Sequence, residues 1–267
     1  SILSPIIDKV IIAKNNSGAA YLVEWNFNGV GDLLVGQGYQ IKTTEAVDLE
    51  VSGAYAFPEN NPLDITAGWN MIGYLRTNAA PADAVLANID ATGNLIIAKD
   101  YNGAAYLPEY NFNGIGDMNP GQGYQLKTNN ADVLQYLSND DSYRMSAIEV
   151  TENNVSHYAK VAATDNNMTF VIEEAAWDVL PSEGSEIAAF DKNGNMVGSA
   201  IYSSPVTVVT VWGDDATTTS KDGMLISEPV SFKVWNTNEV SDFIVSKWIE
   251  GSLSLIHISE PTRPSII

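Results

Sequence analysis

Residues 11–43 read IIAKNNSGAAYLVEWNFNGVGDLLVGQGYQIKT, and residues 96–128 read IIAKDYNGAAYLPEYNFNGIGDMNPGQGYQLKT. The offset between the two stretches is constant at 85; ten positions differ and 23 are identical. A duplication this close indicates a structural module that the chain uses twice. We call residues 11–43 copy 1 and residues 96–128 copy 2.

Each copy has the pattern of short β-strands joined by tight turns. In copy 1, an apolar run at residues 10–13 leads into the turn at residues 16–18, which contains the Gly expected of a hairpin. The loop at residues 26–32 is too rich in Gly and Asn for a helix interior, and we expect Phe27 to point inward from it. Residues 38–42 alternate in polarity, as a half-buried strand does.

The segments that precede the two copies differ. Copy 2 follows a strand pattern at residues 68–75 and a short amphipathic helix pattern at residues 81–89, which has Pro in its first turn. Copy 1 follows only nine residues, in which Ser4-Pro5 could begin the remnant of a helix. We therefore expect a truncated first repeat at 1–51, a linker at 52–67 and a second repeat at 68–137, with the natural protein extending further upstream.

The character of the chain changes over residues 143–250, where short strand patterns alternate with turn signals. This spacing of strands and turns is typical of an antiparallel β-sandwich. The candidate strands are residues 144–150, 157–163, 168–174, 186–190, 196–202, 206–212, 230–235 and 243–249. The sequence thus predicts a mainly β fold: two β-rich repeat units, the first truncated and the second with one short helix, followed by an antiparallel β-sandwich.

The last stretch differs from the rest. Residues 253–263 read LSLIHISEPTR, which resembles the in-frame translation of a transposase-type sequencing adaptor. We interpret residues 251–267 as a non-native tail and leave them out of the fold argument. A tail of this origin is what a chain assembled from metagenomic reads would carry.

Composition narrows the classes of function. The net charge of −20, from 33 acidic and 13 basic residues, argues against nucleic acid and anionic membranes as partners. No apolar stretch is long enough to insert into a membrane. Cysteine is absent, and without the tail His157 is the only histidine, so zinc and thiol chemistry are disfavoured. A Ser-His-Asp triad would have to use His157 beside Ser156, and we expect the chain not to be an enzyme.

Calcium is the cofactor that the acidic loops favour. Asp191, Asn193 and Asn195 place three oxygen-bearing side chains at alternate positions around a Gly turn, as in the first half of a calcium loop. A hairpin turn explains the same residues without a metal, so both interpretations stay open. The second candidate metal site consists of Asp214, Asp215 and Asp222, which flank one polar loop.

Aromatic residues close to glutamines suggest a second kind of site. Carbohydrate sites combine aromatic faces with a few placed polar groups, although aromatics in a small β module are more often part of its core. The candidate ligand-binding residues are Trp25, Gln37 and Tyr39 in copy 1 and Tyr110, Gln122 and Tyr124 in copy 2.

Two segments resemble known secreted proteins. Gly68-Trp69-Asn70, residues 103–109, residues 113–117 and residues 120–125 resemble modules near the C-termini of large secreted bacterial proteins, many of them exported by type IX secretion. Residues 184–191, with Val197-Gly198 and residues 211–215, resemble a β-sandwich module that often precedes the sorting domain of such proteins.

The resemblance implies an extracellular or cell-surface location and brings no catalytic residues with it. We expect a non-catalytic module of a large secreted or cell-surface protein with an adhesion or spacer role. The alternative is a carbohydrate-binding accessory region of a secreted polysaccharide-degrading enzyme. The expected partners are polysaccharides or other surface glycans and the neighbouring domains of the parent chain.

Overall fold

The structure is a computed structural model that describes residues 2–141, 156–215, 217–236 and 238–243. It is 36% strand and 9% helix, which confirms the mainly β fold. The chain forms two compact units. The first contains the described residues of Ser1–Tyr101, Tyr106–Pro108 and Asn113–Ile148, and the second those of Asn102–Ala105, Glu109–Phe112 and Glu149–Ile267.

Among the described residues the strands are short, and the two α-helices have four residues each. The strands that precede residue 141 are β1 (Val10–Lys14), β2 (Ala20–Leu22), β3 (Phe27–Asn28), β4 (Gln40–Thr43), β5 (Leu63–Ile65), β6 (Gly68–Gly73), β7 (Ala80–Pro81), β8 (Leu95–Lys99), β9 (Ala105–Leu107), β10 (Phe112–Asn113), β11 (Asp117–Met118), β12 (Gly123–Thr128) and β13 (Asp132–Leu134). The helices are α1 (Ala82–Val85) and α2 (Ala87–Asp90). The later strands are β14 (Asn167–Glu173), β15 (Glu186–Phe190), β16 (Met196–Ile201), β17 (Val206–Trp212), β18 (Ser231–Trp235) and β19 (Val240–Phe243).

Both copies form the same antiparallel hairpin and closing strand. In copy 1 the sheet order is β3-β2-β1-β4, and in copy 2 it is β10-β9-β8-β12-β6. Each hairpin turn uses a glycine with positive φ, 79° at both Gly18 and Gly103, because a side chain there would be strained. The sheet of copy 2 has one additional strand, β6, which pairs along the whole of β12.

Copy 1 attaches to the opposite edge of β6. The Gly38 N–H donates to the Met71 carbonyl oxygen at 3.0 Å, and the Gly73 N–H donates to the Gly36 carbonyl oxygen at 2.9 Å. A Cβ atom at Gly38 would lie 2.6 Å from the Ile72 carbonyl oxygen, so only glycine fits at this crossing. Both edges of β6 are therefore occupied.

Copy 2 has a substantial core, whereas copy 1 has a small one. The helical layer of α1 and α2 buries Val85, Leu86 and Ile89 against Tyr124 and Leu126 of β12. The predicted single helix over residues 81–89 is two helices that meet at Leu86. In copy 1 the corresponding cluster consists of Leu3, Ile6, Val10 and Ala13, with part of it supplied by the 3-10 helix Ser4–Ile6.

Two sequence predictions about unit 1 need correction. Phe27 does not point inward: it is exposed, while Phe112 in copy 2 is half-buried. Residues 52–67, which the sequence presents as a linker, contain β5, and β5 pairs antiparallel with β13.

In unit 2, two antiparallel sheets contribute to one core, as the layers of a β-sandwich do. The sheets are β14-β17 and β16-β15-β18-β19. Their shared core includes Phe170, Val209, Ile187, Val197 and Phe232.

Five of the eight strands expected in unit 2 lie close to their predicted positions. The strand expected at residues 157–163 is absent, and the backbone at the start of that segment, residues 156–158, binds the Glu186 carboxylate instead. Residues 144–150 and 244–249, where two further strands are expected, lie outside the described residues. The strand β19, Val240–Phe243, begins before the second of these predicted strands.

Candidate functional site

Four of the predicted sugar-site residues form hydrogen-bonded pairs within their own copy. We call each pair, Tyr39 with Gln37 and Tyr124 with Gln122, the latch of that copy. In copy 1 the Tyr39 hydroxyl accepts a hydrogen bond from the Leu34 N–H at 2.9 Å and donates one to Gln37 Oε1 at 3.3 Å. In copy 2 the Tyr124 hydroxyl accepts from the Asn119 N–H at 2.7 Å and donates to Gln122 Oε1 at 2.9 Å.

These latches use the tyrosine hydroxyls internally. The Tyr124 side chain is only 2% exposed, so its ring belongs to the core of copy 2. Burial raises the pKa of Tyr124 above its usual value, against the opposing effect of the Asn119 backbone bond. The tyrosine–glutamine pairs therefore close the loop before the last strand of each copy, and neither pair presents an exposed aromatic platform.

The other two predicted aromatics differ in exposure. Trp25 is 73% exposed and gives copy 1 a large free indole face. Its counterpart Tyr110, which belongs to the second unit, is half-buried and donates its hydroxyl to Glu173 Oε1 at 3.1 Å. Burial, together with that bond, raises the pKa of Tyr110 to about 12. Of the four predicted aromatics, Trp25 alone has the exposure expected of a sugar platform.

The turn formed by Asp191, Asn193 and Asn195 connects β15 to β16, and the Asp191 carboxylate organises it. Asp191 Oδ1 accepts hydrogen bonds from the Asn193 N–H at 2.9 Å and the Asn195 N–H at 2.8 Å. Asp191 Oδ2 accepts from the Asn195 side-chain amide at 2.9 Å and from the Lys221 ammonium. The hairpin interpretation thus accounts for the side chains of Asp191 and Asn195, and Asn193 takes part through its backbone N–H.

Lys221 bridges two buried carboxylates. Its ammonium contacts Asp191 and lies 2.8 Å from both carboxylate oxygens of Glu228. The side chains of Asp191 and Glu228 are almost completely buried, and that of Lys221 is 25% exposed. This ion pair supplies the positive charge that a cation would otherwise bring to the turn.

The bridge shifts all three titrating groups toward their charged forms. Burial alone would raise the pKa values of Asp191 and Glu228, but the hydrogen bonds, with Lys221 as the largest contributor, lower both below their usual range. Burial would lower the pKa of Lys221, and the two carboxylates raise it instead. The charged bridge is therefore the stable state around neutral pH.

The three carboxylates of the second predicted metal site bind backbone amides of their own loop. The Asp215 N–H donates to Asp222 Oδ1 at 2.9 Å, and the Asp222 N–H donates to Asp214 Oδ1 at 2.8 Å. Asp215 Oδ1 accepts from the Thr217 N–H and hydroxyl at 2.8 and 2.7 Å. Within the described ranges, no group of three or more acidic, histidine or cysteine side chains has a metal-binding arrangement.

Ser156 and His157, the residues that a Ser-His-Asp triad would have to use, both donate hydrogen bonds to Glu186. The buried Glu186 carboxylate accepts hydrogen bonds from the backbone N–H groups of Ser156, His157 and Tyr158 at 2.6 to 3.1 Å, and from the Ser156 hydroxyl at 2.9 Å. The His157 ring stacks on Trp235 with centroids 4.6 Å apart. Burial opposes ionisation of Glu186, but these bonds outweigh it and lower its pKa. The arrangement anchors a chain segment.

Sequence reasoning missed Lys221 and Glu228, because the bridge joins residues 30 positions apart along the chain. It also missed Lys99, which is buried and lies 5.3 Å from the centre of the Trp69 ring. Burial, and then the charge of Lys127, lowers the pKa of Lys99 to about 8. The recurrence of lysine at the corresponding position 14 of copy 1 was the available signal.

The latches predict different costs for the same substitution in the two copies. Tyr124→Phe removes the hydroxyl of a buried ring and leaves the Asn119 amide and the Gln122 oxygen without this partner, so we expect a loss of about 1–2 kcal/mol in the free energy of unfolding. Tyr39→Phe, at the half-buried latch of copy 1, should cost about half as much, because water can replace the hydroxyl. Chemical denaturation of both variants checks this, and equal losses would contradict it.

Comparison with known proteins gives no relative: no family model, curated protein or solved structure matches this chain. The helices that the structure describes are all too short to cross a membrane.

Proposed function

We propose that this chain is a non-catalytic module of a secreted or cell-surface protein, with an adhesion or spacer role. The observation that supports this proposal is the internal use of its polar residues. The tyrosine–glutamine latches, the Lys221 bridge, the Asp214–Asp222 loop and the Glu186 anchor all satisfy backbone or side-chain groups of the fold itself. A protein whose polar side chains bind within its own fold is suited to keep its shape and to hold neighbouring domains apart.

A carbohydrate-binding accessory role is the second candidate, and the exposed indole of Trp25 favours it. Leu33, Leu34 and Val35 of the same copy are also exposed. An exposed indole can stack on a sugar ring and contribute about 1 kcal/mol or more to binding. Calcium enters this proposal as the cofactor expected at the acidic loops of unit 2.

Retention on immobilised polysaccharides distinguishes the two candidates. The intact chain is passed over a panel of neutral and acidic polysaccharides, once with calcium and once with chelator. The spacer role predicts no retention in either condition. Retention on one glycan class would establish the accessory role, and its loss in chelator would add calcium as the cofactor.

Two variants make the panel specific. If a glycan retains the chain, Trp25→Ala should weaken retention by about tenfold, because the stacking face is lost. Tyr110→Phe is the matched control at the equivalent position, since it keeps the ring and removes only the bond to Glu173. Retention that Trp25→Ala leaves unchanged would place the binding surface elsewhere.

A further inference from the structure

The closing strands of the two copies have nearly the same sequence but different neighbours. β12 lies between β8 and β6, whereas β4 pairs with β1 and lies at the edge of its sheet. Residues 39–43 read YQIKT and residues 124–128 read YQLKT, so four of five positions are identical. In the part of the chain that the structure describes, no strand pairs with the outer edge of β4.

The hydrogen bonds show which backbone groups face that outer edge. The Thr44 N–H donates to the Lys9 carbonyl at 2.9 Å, as the Asn129 N–H of copy 2 donates to the Asn94 carbonyl at 3.0 Å. Backbone groups alternate in direction along an antiparallel strand. The backbone N–H and C=O groups of Tyr39, Ile41 and Thr43 therefore point away from β1.

The equivalent groups in copy 2 are the ones that bind β6. The Tyr74 N–H donates to the Gln122 carbonyl at 3.0 Å, which fixes the even-numbered residues of β12 on the β6 side. The register pairs Tyr124 with Ile72, Leu126 with Asn70 and Thr128 with Gly68. With the offset of 85, these three β12 positions correspond to Tyr39, Ile41 and Thr43.

Burial follows the same difference. Leu126 is 0% exposed, and Ile41, at the equivalent position, is 41% exposed. One of the neighbours that bury Leu126 is Ile72 of β6, and among the described residues Ile41 has no such strand beside it.

From the comparison of the two copies, we propose that the outer edge of β4 is a docking site for an antiparallel strand. The strand that it binds is of the β6 type, with the sequence Gly-Trp-Asn, two apolar residues and Gly. Main-chain bonds supply affinity in such β-augmentation, and alternate side chains supply selectivity. A second folded copy of this chain cannot donate its β6, because both edges of that strand are already paired.

The register of the added strand follows from copy 2. Its Asn lies opposite Ile41, its Trp opposite Lys42 and its first Gly opposite Thr43, as Trp69 lies opposite Lys127 in copy 2. The Trp ring then approaches Lys14, as Trp69 approaches Lys99. The inference is independent of whether the protein binds glycans.

The test uses a fluorescent peptide with the sequence of residues 66–75, TAGWNMIGYL, added to the intact chain. We expect saturable one-to-one binding by anisotropy, and a scrambled peptide should bind at least about tenfold more weakly. Hydrogen exchange should slow at the amides of Ile41 and Thr43, whose N–H groups become bonded. No saturation up to about 1 mM peptide, or equal binding of the scrambled peptide, overturns the proposal.

Two matched pairs of variants, one in the peptide and one in the protein, test whether binding depends on the proposed backbone hydrogen bonds. A peptide N-methylated at the positions of Asn70 and Ile72, which face the partner strand, should lose binding by about tenfold or more. N-methylation at the positions of Trp69 and Met71 should leave it intact. In the protein, Ile41→Pro should weaken binding because it removes an outward amide, while Ile41→Val should bind as the unaltered chain does.

The methylated peptides do not depend on how the protein variants fold, so the test stands even if Ile41→Pro unfolds copy 1. Equal binding of the two methylated peptides overturns the proposed register. A peptide-free dimer that protects the same amides of Ile41 and Thr43 would overturn the proposed occupant and assign the edge to a second β4.

Discussion

Replacement of Lys221 by methionine is expected to destabilise unit 2 by about 3 kcal/mol or more. The side chains of Asp191 and Glu228 are 1% exposed, and Lys221 is their shared counterion. Removing it leaves two buried carboxylates close together without a positive charge between them. The amide donors to Asp191 from Asn193 and Asn195 remain, so the loss stays short of complete unfolding.

Lys192→Met is the matched control. Lys192 lies 3.8 Å from Glu228 Oε1, but its side chain is 53% exposed, so solvent screens the pair. We expect a loss below about 1 kcal/mol. Hydrogen exchange measured on the peptides that contain β15 and β16 reports the stability of this unit separately from that of unit 1. Similar losses for Lys192→Met and Lys221→Met would contradict the bridge.

A second variant distinguishes buried charge from lost packing. In Lys221→Met with Glu228→Gln, one of the two facing carboxylates becomes neutral, so the double variant should be more stable than Lys221→Met alone. If the double variant is instead less stable than Lys221→Met, the aliphatic part of Lys221 rather than its charge stabilises the unit.

Acid reveals the same bridge in the unaltered chain. The pKa values of Asp191 and Glu228 are lowered on folding, so their contribution to stability is complete above the ordinary values of 3.8 and 4.5. That contribution is lost as the pH falls through the lowered values. In Lys221→Met the lowering is reduced, so the stability difference between the two proteins should shrink as the pH is lowered from about 5 to 3.

The hairpins of both copies could be predicted from the sequence, because their signals are local. An apolar run, a glycine turn and a second apolar run specify β1 with β2 and β8 with β9, and the structure forms both pairs. The Gly194 turn between β15 and β16 was equally readable. In these segments the side-chain pattern and the turn residue indicate the same structure over 13 to 16 residues.

The features that sequence reasoning missed depend on partners far away in the chain. The strand expected at residues 157–163 is absent because Glu186, about 30 positions away, binds the backbone of residues 156–158. The tyrosines expected to form sugar platforms point into their own loops, since a hydroxyl two residues from a glutamine can close a turn. The amino-acid sequence does not show whether a tyrosine forms an exposed platform or closes a loop.

Truncation of the same strand position in the two copies is expected to have very different costs. Leu126→Ala should lower the free energy of unfolding by about 3 kcal/mol or more, because the side chain is 0% exposed and its removal leaves a cavity. Ile41→Ala, at the equivalent position of β4, should cost about 1 kcal/mol, because much of that side chain already contacts water.

The difference has a structural cause outside the copies themselves. Leu126 packs in a cluster with Ile72 of β6, Leu86 and Ile89 of the helical layer and Leu134 of β13. Copy 1 has the same strand but none of these neighbours around Ile41, whose closest counterpart of a helical layer is the 3-10 helix Ser4–Ile6. We therefore expect the two copies to differ in stability although their sequences are closely similar.

Hydrogen exchange of peptides from the β1–β4 and β8–β12 segments measures the protection of copy 1 and of copy 2 separately in each variant. The expected outcome is a large loss of protection in copy 2 with Leu126→Ala and a small loss in copy 1 with Ile41→Ala. The β6-type peptide should add to the measurement: once it is bound, Ile41 is covered and Ile41→Ala should cost more than it does without peptide. Equal losses in the free energy of unfolding for Leu126→Ala and Ile41→Ala, measured without peptide, would contradict the difference in burial that supports the docking site.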